Sequence, residues 1–154
     1  MKRRDFITFL GGAAAAWPLA ARAQQGKRVR RIGVLMTGDE NGPLVKSRVS
    51  AFTQALAGLG WTDGRNVQMN FRGAGGDLNR LPALARELVG LQPDIILTGT
   101  VPATVVLQRE TRTIPIVFAA ANDPVAIGIV PRLNQPGGNV TGFASFEATL
   151  GGRA

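Results

Sequence analysis

The sequence has 154 residues, of which 45% are hydrophobic and 18% charged, a composition typical of one folded domain and not of a disordered chain. It contains no cysteine and no histidine, which excludes disulfides, thiolate nucleophiles, a Ser-His-Asp triad and nearly all zinc sites. The formal net charge of +8 indicates either a nucleic-acid-binding surface or basic residues that belong to an export signal.

The first 23 residues have the layout of a signal peptide. A basic start at 2–4 is followed by the weakly apolar run FITFLGGAAAA at 6–16 and by an A-x-A pattern that ends at Ala23. The segment RRDFI at 3–7 resembles the twin-arginine export signal. We therefore expect a twin-arginine-type signal peptide at 1–23, cleaved after Ala23, and a periplasmic mature protein. The alternative is a basic, disordered start on a cytosolic protein.

A second basic cluster, at 24–31, directly precedes the first apolar run. It is either a patch for a polyanion or membrane surface, or a solvated lead-in to a buried strand, and we favour the lead-in. The other arginines are scattered and lack the interleaved aromatic residues of single-strand binders. We expect no nucleic-acid partner.

The first half of the mature chain alternates between strand and helix patterns. The apolar run at 32–36 predicts a buried strand that ends at the turn Thr37-Gly38. Apolar residues recur every three or four positions over 43–59, which predicts a helix. The alternating segment 67–71 predicts a strand at or near a sheet edge, and after the loop GAGGD a helix is predicted over 78–89, with Asp77 as its N-cap.

The second half continues the alternation. Strands are predicted at 95–97, 114–118 and 139–143, the first of them ending at Thr98-Gly99-Thr100. Pro102 suits the first turn of a helix that runs to 108, and Asp123-Pro124 predicts a further helix that ends near Leu133. The fold class is therefore α/β, with a Rossmann-like parallel sheet of about five strands and helices on both faces.

In such a sheet, ligands bind beyond the carboxyl ends of the strands, where the strand order switches. The loops at these ends are Thr37-Gly38, Thr98–Thr100 and Ala120–Asp123. Amide groups at the helix starts suit an anion, and the hydroxyls of Thr98, Thr100 and Thr104 surround one such start. These threonines either contact a ligand or only cap the helix. Asp123 either binds a ligand ammonium group or caps its own helix, and capping is favoured.

Motifs for catalysis are missing from the sequence. The segment TGDENG at 37–42 is not a G-x-G-x-x-G fingerprint, GAGG at 73–76 lacks the third glycine, and no Walker A sequence occurs. No pair of carboxylates stands out as catalytic. We expect no enzyme activity, no catalytic residue, no metal and no cofactor. The alternative is a small Rossmann-like or flavodoxin-like enzyme that uses Asp123 or Glu40 as a base, or a nucleotide-binding domain.

Several segments together resemble the ABC transporter substrate-binding proteins of the TrpX-like group. They are the leader at 1–24, LPALA at 81–85 with ELV at 87–89, IPIVF at 114–118, DPV at 123–125 and NQPGGNVTG at 134–142. The resemblance extends to about Glu147. It implies one lobe of a type I periplasmic binding protein, the N-terminal solute-binding lobe at 32–147, which closes with a second lobe on a small organic solute, such as an amino acid, and delivers it to an inner-membrane ABC permease.

The resemblance also implies which residues contact the solute. Carried onto this chain, they are Thr37, Gly38, Thr98, Gly99, Thr100, Pro102, Asn122, Asp123, Thr141 and Ser145. The tail at 148–154 carries Gly-Gly where such proteins have a longer helix-forming run. We therefore expect a truncated fragment without the hinge and second lobe, with weak or absent solute binding and an exposed, sticky cleft face.

Overall fold

The protein forms one parallel five-stranded sheet with helices on both faces in a computed structural model, which describes residues 28–121, 123–132, 134 and 137–144. The strand order is β2-β1-β3-β4-β5, and every neighbouring pair is parallel. This confirms the predicted fold class and the predicted edge position of the second strand. The strands are β1 (Arg30–Met36), β2 (Val67–Gly73), β3 (Ile95–Thr98), β4 (Ile116–Ala121) and β5 (Val140–Ala144).

Three helices connect the strands: α1 (Pro43–Gly58), α2 (Leu81–Gly90) and α3 (Val101–Glu110). Each begins with proline in its first turn, where a missing N–H costs no helical hydrogen bond. A 3₁₀ turn at Leu78–Arg80 precedes α2, and Asp77 caps it by accepting a hydrogen bond from the Asn79 amide at 3.0 Å. The predicted helix at 78–89 therefore begins as a 3₁₀ turn, with Asp77 as its N-cap as expected. None of the helices in the described ranges is both long and apolar enough to cross a membrane.

The alternation of side chains along β1 divides the core into two layers. Ile32, Val34 and Met36 point to one face, where Phe52 and Leu56 of α1 cover them. Leu35 belongs to the opposite layer, with buried residues of α2 and α3 such as Leu88 and Leu107. Consecutive residues of one strand thus hold helices on both sides of the sheet.

Three strands begin at other positions than the sequence predicted, of which β5 is displaced least, from 139 to Val140. β1 begins at Arg30, inside the basic segment, because its main chain pairs with β2 from that residue onward. β4 begins at Ile116 and not at Ile114, because the Ile114 amide donates to the Thr111 hydroxyl and Pro115 has no N–H to give the sheet.

The prediction of a helix that begins at Asp123 is wrong for the described residues. The segment 123–132 forms consecutive turns, with the Ile127 amide donating to the Asp123 carbonyl and the Ile129 amide to the Pro124 carbonyl. Asp123 and Gly128 have φ values of 44° and 76°, and these left-handed residues prevent a continuous helix. The Asp123 carboxylate does cap this turn, because it accepts a hydrogen bond from the Ala126 amide at 3.0 Å. Leu133 lies outside the described residues.

Candidate functional site

The strand order reverses between β1 and β3, which places a crevice at their carboxyl ends. β1 lies between β2 and β3, and the helices that follow β1 and β3 pack on opposite faces of the sheet. The two connections therefore leave the sheet in opposite directions. The residues at this point are Met36, which ends β1, with Thr37 and Gly38 after it, and Thr98, which ends β3, with Gly99 and Thr100 after it. An open α/β sheet binds its ligands at such a switch point.

The loop after β1 is held by the loop after β2. The amides of Ala74, Gly75 and Gly76 donate to the carbonyls of Met36, Gly38 and Thr37, at 3.0, 3.1 and 2.8 Å. A Cβ at Gly73 would lie 2.8 Å from the Glu40 amide nitrogen, so only glycine allows the two loops this close. The GAGG segment is thus a support for the first loop of the site.

The loop after β3 is ordered by two threonines that are fully buried. Thr98 and Thr104 both donate their hydroxyls to the Thr100 carbonyl, at 3.5 and 2.8 Å. They offer no surface to a solute in this conformation, so their contribution is to position Gly99 and Thr100. This favours the supporting role for these two threonines among the alternatives that the sequence left open.

Thr100 differs from its two neighbours. It is the N-cap of α3, yet its side chain makes no capping hydrogen bond. Its hydroxyl oxygen is buried and has no hydrogen-bond partner among the described residues. A buried hydroxyl without a partner is costly, and such atoms are rare in folded proteins. The first turn of α3 also contains Pro102, which is exposed, and the dipole of the helix favours an anion here.

Arg48 of α1 is a residue of this edge that the sequence reasoning missed. Its Nη1 lies 3.9 Å from the position that a Cβ on Gly99 would take, beside the Met36 sulfur, which lies 3.1 Å from the same position. Arg48 follows buried Val45 by one helical turn, and Val45 in turn lies 2.9 Å from the Cβ position of Gly38. That spacing was the available signal, since it puts Arg48 on the side of α1 that meets the loops.

The remaining predicted contacts are only partly brought to this edge. Asp123 is exposed after β4 and engaged in its turn. Thr141 lies beside Val117 on the exposed face of β5, three residues before the strand ends at Ala144, so it does not join the loops at the switch point. Asn122 and Ser145 lie outside the described residues.

The basic residues before the sheet have a structural partner at the opposite, amino edge. The carboxylate of Asp94 accepts hydrogen bonds from the Arg31 amide at 2.8 Å and from the guanidinium of Arg28 at 3.0 Å, and Arg30 lies 3.5 Å away. The Arg31 amide bond is the main cause that lowers the pKa of Asp94, with the Arg28 and Arg30 charges adding to it against partial burial. These contacts support the interpretation of this segment as a lead-in to the first strand.

A second ion pair joins β2 to α2. Arg72 donates through Nε and Nη2 to the Glu87 carboxylate, at 2.9 and 2.7 Å. This hydrogen bonding, together with the Arg72 charge, lowers the pKa of Glu87. The pair lies on the surface and stabilises the packing of α2 against the edge strand.

Two cavities, of about 520 and 320 Å³, lie at the amino edge, and a third, of about 390 Å³, lies between the loop after β1, α1 and β2, lined by Glu40, Lys46 and Phe71, among others. The cavity of about 520 Å³ is lined by Arg109, Arg112 and Asn139, among others, and that of about 320 Å³ by Trp61 and Asp94, among others. We place the site at the carboxyl edge because strand order and the partnerless Thr100 hydroxyl agree there. Among the residues that the structure describes, no group of three or more Asp or Glu side chains is arranged to hold a metal ion.

Comparison with known proteins identifies the family of this chain. Residues 33–149 match the family model described as ABC transporter substrate binding protein. The chain belongs to the ABC transporter substrate-binding protein family. Members of this family bind solutes and are not classed as enzymes, which agrees with the expectation from the missing catalytic motifs.

Three similar proteins support this assignment. The chain is 31% identical over 127 residues to the tyrosine-binding protein of Clostridioides difficile strain R20291, covering 80% of this chain and 36% of that protein. It is 30% identical, with a TM-score of 0.72, to the ligand-free, open structure of a Clostridium difficile substrate-binding protein with adhesive properties, covering 79% and 40% of the two chains. A Streptococcus pneumoniae protein in complex with L-Trp is 29% identical with a TM-score of 0.68, covering 75% and 38%. This chain therefore spans well under half the length of these relatives.

Proposed function

We propose that this chain is the N-terminal solute-binding lobe, at 32–147, of an ABC uptake protein and takes an amino acid or similar small organic solute at the carboxyl edge of its sheet. The observation that carries the proposal is the hydroxyl of Thr100 at the start of α3, at the β1/β3 switch point, which has no hydrogen-bond partner among the described residues. The oxygen itself is buried, so the side chain of this partly exposed residue has to rotate for the hydroxyl to meet a solute. An amino acid offers hydrogen-bonding groups for that hydroxyl and a carboxylate for the helix amides. The names of the relatives, which mention tyrosine and L-Trp, support an aromatic amino acid as the first candidate.

The proposed solute contacts are Thr37, Gly38, Gly99, Thr100 and Pro102, with Thr98 acting through the loop that it positions. Asp123 is proposed to meet the ammonium group from the loop after β4, where it is exposed. The contacts made by this chain are one side of a cleft, and we propose that a second lobe supplies the other side in a complete protein. The partner of that complete protein is an ABC permease.

A nuclear magnetic resonance titration of the ¹⁵N-labelled chain with L-tryptophan and L-tyrosine tests this function. Shift changes are expected at the amides of Gly38, Gly99 and Val101. One side of a cleft supplies about half of the binding free energy, so a solute bound at about −8 kcal/mol by two lobes would be held here at about −4 kcal/mol, which is a Kd on the order of 1 mM. Shifts confined to the amino edge, or none with a panel of amino acids, would contradict the proposal.

Two threonine variants separate solute binding from folding. Thr100→Val removes the partnerless hydroxyl, so we expect unchanged or slightly higher stability but weaker solute binding. Thr104→Val is the matched control, because it removes the hydroxyl that donates to the Thr100 carbonyl at 2.8 Å. This variant should lower the free energy of unfolding by about 1 kcal/mol. Urea denaturation and the titration measure the two effects. A Thr100→Val protein that unfolds more easily and binds as before would show that the hydroxyl is structural.

We also propose that the protein is exported by the twin-arginine route to the periplasm and cleaved after Ala23. The support is the sequence of residues 1–23, which lie outside the described residues. Replacing Arg3 and Arg4 by lysine should retain the full-length protein in the cytoplasm, as measured by cell fractionation. Equal amounts of processed protein outside the cytoplasm for both versions would exclude this route.

A further inference from the structure

We infer that Arg48 selects for a carboxylate-bearing solute by placing a guanidinium group over Gly99 at the β1/β3 switch point. The inference rests on the proposed function for the location of the site and deepens it by naming the charge that the site accepts. It concerns a residue that the solute contacts expected from the sequence do not include.

The position of Arg48 follows from the packing of α1 on the loops. Val45 lies against Gly38, which fixes the first turns of α1 over the carboxyl end of β1. One turn later, the Nη1 of Arg48 lies 3.9 Å from the Cβ position of Gly99. Gly99 and Arg48 belong to segments 51 residues apart in the sequence, yet they meet where the strand order reverses. The absence of a side chain at Gly99 lets the Met36 side chain and the guanidinium both approach its main chain.

The charge of Arg48 has no partner in the described part of the chain. Arg28 and Arg30 pair with Asp94, Arg72 with Glu87 and Arg86 with Glu110, whereas Arg48 makes no ion pair or side-chain hydrogen bond there. The exposed acidic residues near this edge already have local partners: Asp39 accepts from the Asn41 amide and Asp123 from the Ala126 amide. These amide hydrogen bonds hold the two carboxylates in their own turns, and the charged group that lies beside Gly99 is the Arg48 guanidinium.

Two further features at the same point favour an anion. Thr100 makes no side-chain cap at the start of α3, and its hydroxyl is buried and partnerless among the described residues. The guanidinium lies beside Gly99, and Thr100 and the start of α3 follow it directly in the chain, so the charge, the helix dipole and a rotated Thr100 hydroxyl all favour an anion at this edge. A planar carboxylate matches the fork of arginine donors, and an amine of the same shape would be repelled. The chemical class is a carboxylate, as on a free amino acid or a small organic acid.

Sodium acetate is the probe that tests Arg48 without knowing the solute. The ¹⁵N-labelled chain is titrated with sodium acetate and, at the same ionic strength, with sodium chloride. Acetate should shift the amides of Gly99 and Val101 more than chloride does. In Arg48→Gln, the apparent affinity for acetate at these amides should fall about tenfold, because a hydrogen bond to a charged group contributes about 1.5–3 kcal/mol and 1.4 kcal/mol is tenfold. Arg48→Lys keeps the charge, so its affinity for acetate should lie between those of the wild type and Arg48→Gln.

The matched control is Arg109→Gln, an exposed arginine at the other end of α3. It should leave the acetate shifts at Gly99 and Val101 unchanged. Both variants replace exposed side chains and should unfold within about 0.5 kcal/mol of the wild type, which urea denaturation checks. Equal acetate shifts in the wild type and Arg48→Gln, or shifts that respond to Arg109→Gln alone, would overturn the role of Arg48.

A parallel titration with L-tryptophan and its decarboxylated analogue tryptamine separates this inference from the proposed function. If L-tryptophan binds the wild type and Arg48→Gln equally, the site is a solute site and the inference about Arg48 is wrong. If acetate shifts depend on Arg48 but no amino acid binds, the carboxylate preference stands and the amino-acid function is wrong. If tryptamine binds as well as L-tryptophan, selection for a carboxylate is excluded.

Discussion

Asp94 is the residue on which the basic segment before β1 converges. Its carboxylate accepts the Arg31 amide at 2.8 Å and lies at 3.0 and 3.5 Å from the Arg28 and Arg30 guanidinium groups. The two arginine side chains are 67% and 46% exposed, so their ion pairs contribute little, and the amide bond dominates. We expect Asp94→Asn to lower the free energy of unfolding at pH 7 by about 1–2 kcal/mol in urea denaturation.

The same contacts determine how this effect depends on pH. The pKa of Asp94 is lowered in the folded chain, chiefly by the Arg31 amide, so the carboxylate stabilises the fold at every pH above the ordinary aspartate value of about 3.9. The contribution is lost as the pH falls through the lowered folded pKa. The difference between wild type and Asp94→Asn should therefore be constant from about pH 5 to 8 and shrink below about pH 4. Glu40→Gln, at an exposed position, is the control; a difference equal at pH 3 and pH 7 would refute the assignment.

At the scale of elements, the pairing of β4 with β5 depends on the glycine of the NVTG segment. A Cβ at Gly142 would overlap the Phe118 carbonyl oxygen and lie 2.7 Å from Cγ of the same residue. The register also shifts between Phe118 and Ala121, so the ladder is irregular directly beside this contact. This explains why a glycine stands there, although its backbone conformation is ordinary.

We therefore expect Gly142→Ala to lower the free energy of unfolding by about 1–3 kcal/mol, as overpacked positions do. The matched control is Gly58→Ala at the end of α1, where a Cβ would have nothing within 4 Å. That variant should be unchanged or up to about 1 kcal/mol more stable, because alanine favours the helix. Urea denaturation of both proteins gives the comparison. A Gly142→Ala chain as stable as the wild type would mean that β5 does not approach Phe118 this closely.

The order of elements was predictable because their signals are local. Periodicity in each segment distinguishes strand from helix, and short loops between alternating types imply a parallel sheet. The turn segment at 123–132 was not predictable in the same way. Asp123-Pro124 is a sound local signal for a helix start, and the cap does form, but Gly128 with a φ of 76° redirects the chain after one turn.

Only the loops of the candidate site could be predicted from the sequence. The topological rule places Thr37-Gly38 and Thr98–Thr100 at the carboxyl edge, and the structure has them there. Which hydroxyl is partnerless could not be predicted, because that depends on Thr98 and Thr104 sharing the Thr100 carbonyl. Arg48 resembles any solvated helix residue in the sequence, and its position over Gly99 depends on how α1 packs against a loop far along the chain.

At the scale of the whole molecule, the sheet is covered unevenly. α1 packs over β1 and reaches Leu97 of β3, but no helix of the described residues packs on the same face of β4 and β5. Phe143 on this face is 74% exposed, and Val117 is only partly buried. β5 is also an edge strand, so its outer backbone groups have no neighbouring strand in the described sheet. Exposed apolar side chains beside a free strand edge favour association between copies.

We therefore expect the chain to self-associate as its concentration rises, with Phe143 at the contact. Removing one exposed phenylalanine from a self-contact forfeits about 1.5–3 kcal/mol, so Phe143→Ser should raise the dimer Kd at least about tenfold. The variant should fold as before, because the side chain is largely exposed. Leu44→Ser, at a 63% exposed leucine at the start of α1, is the matched control and should associate like the wild type. Analytical ultracentrifugation measures all three proteins, and a wild-type chain that stays monomeric up to high concentration would show that this face is not adhesive.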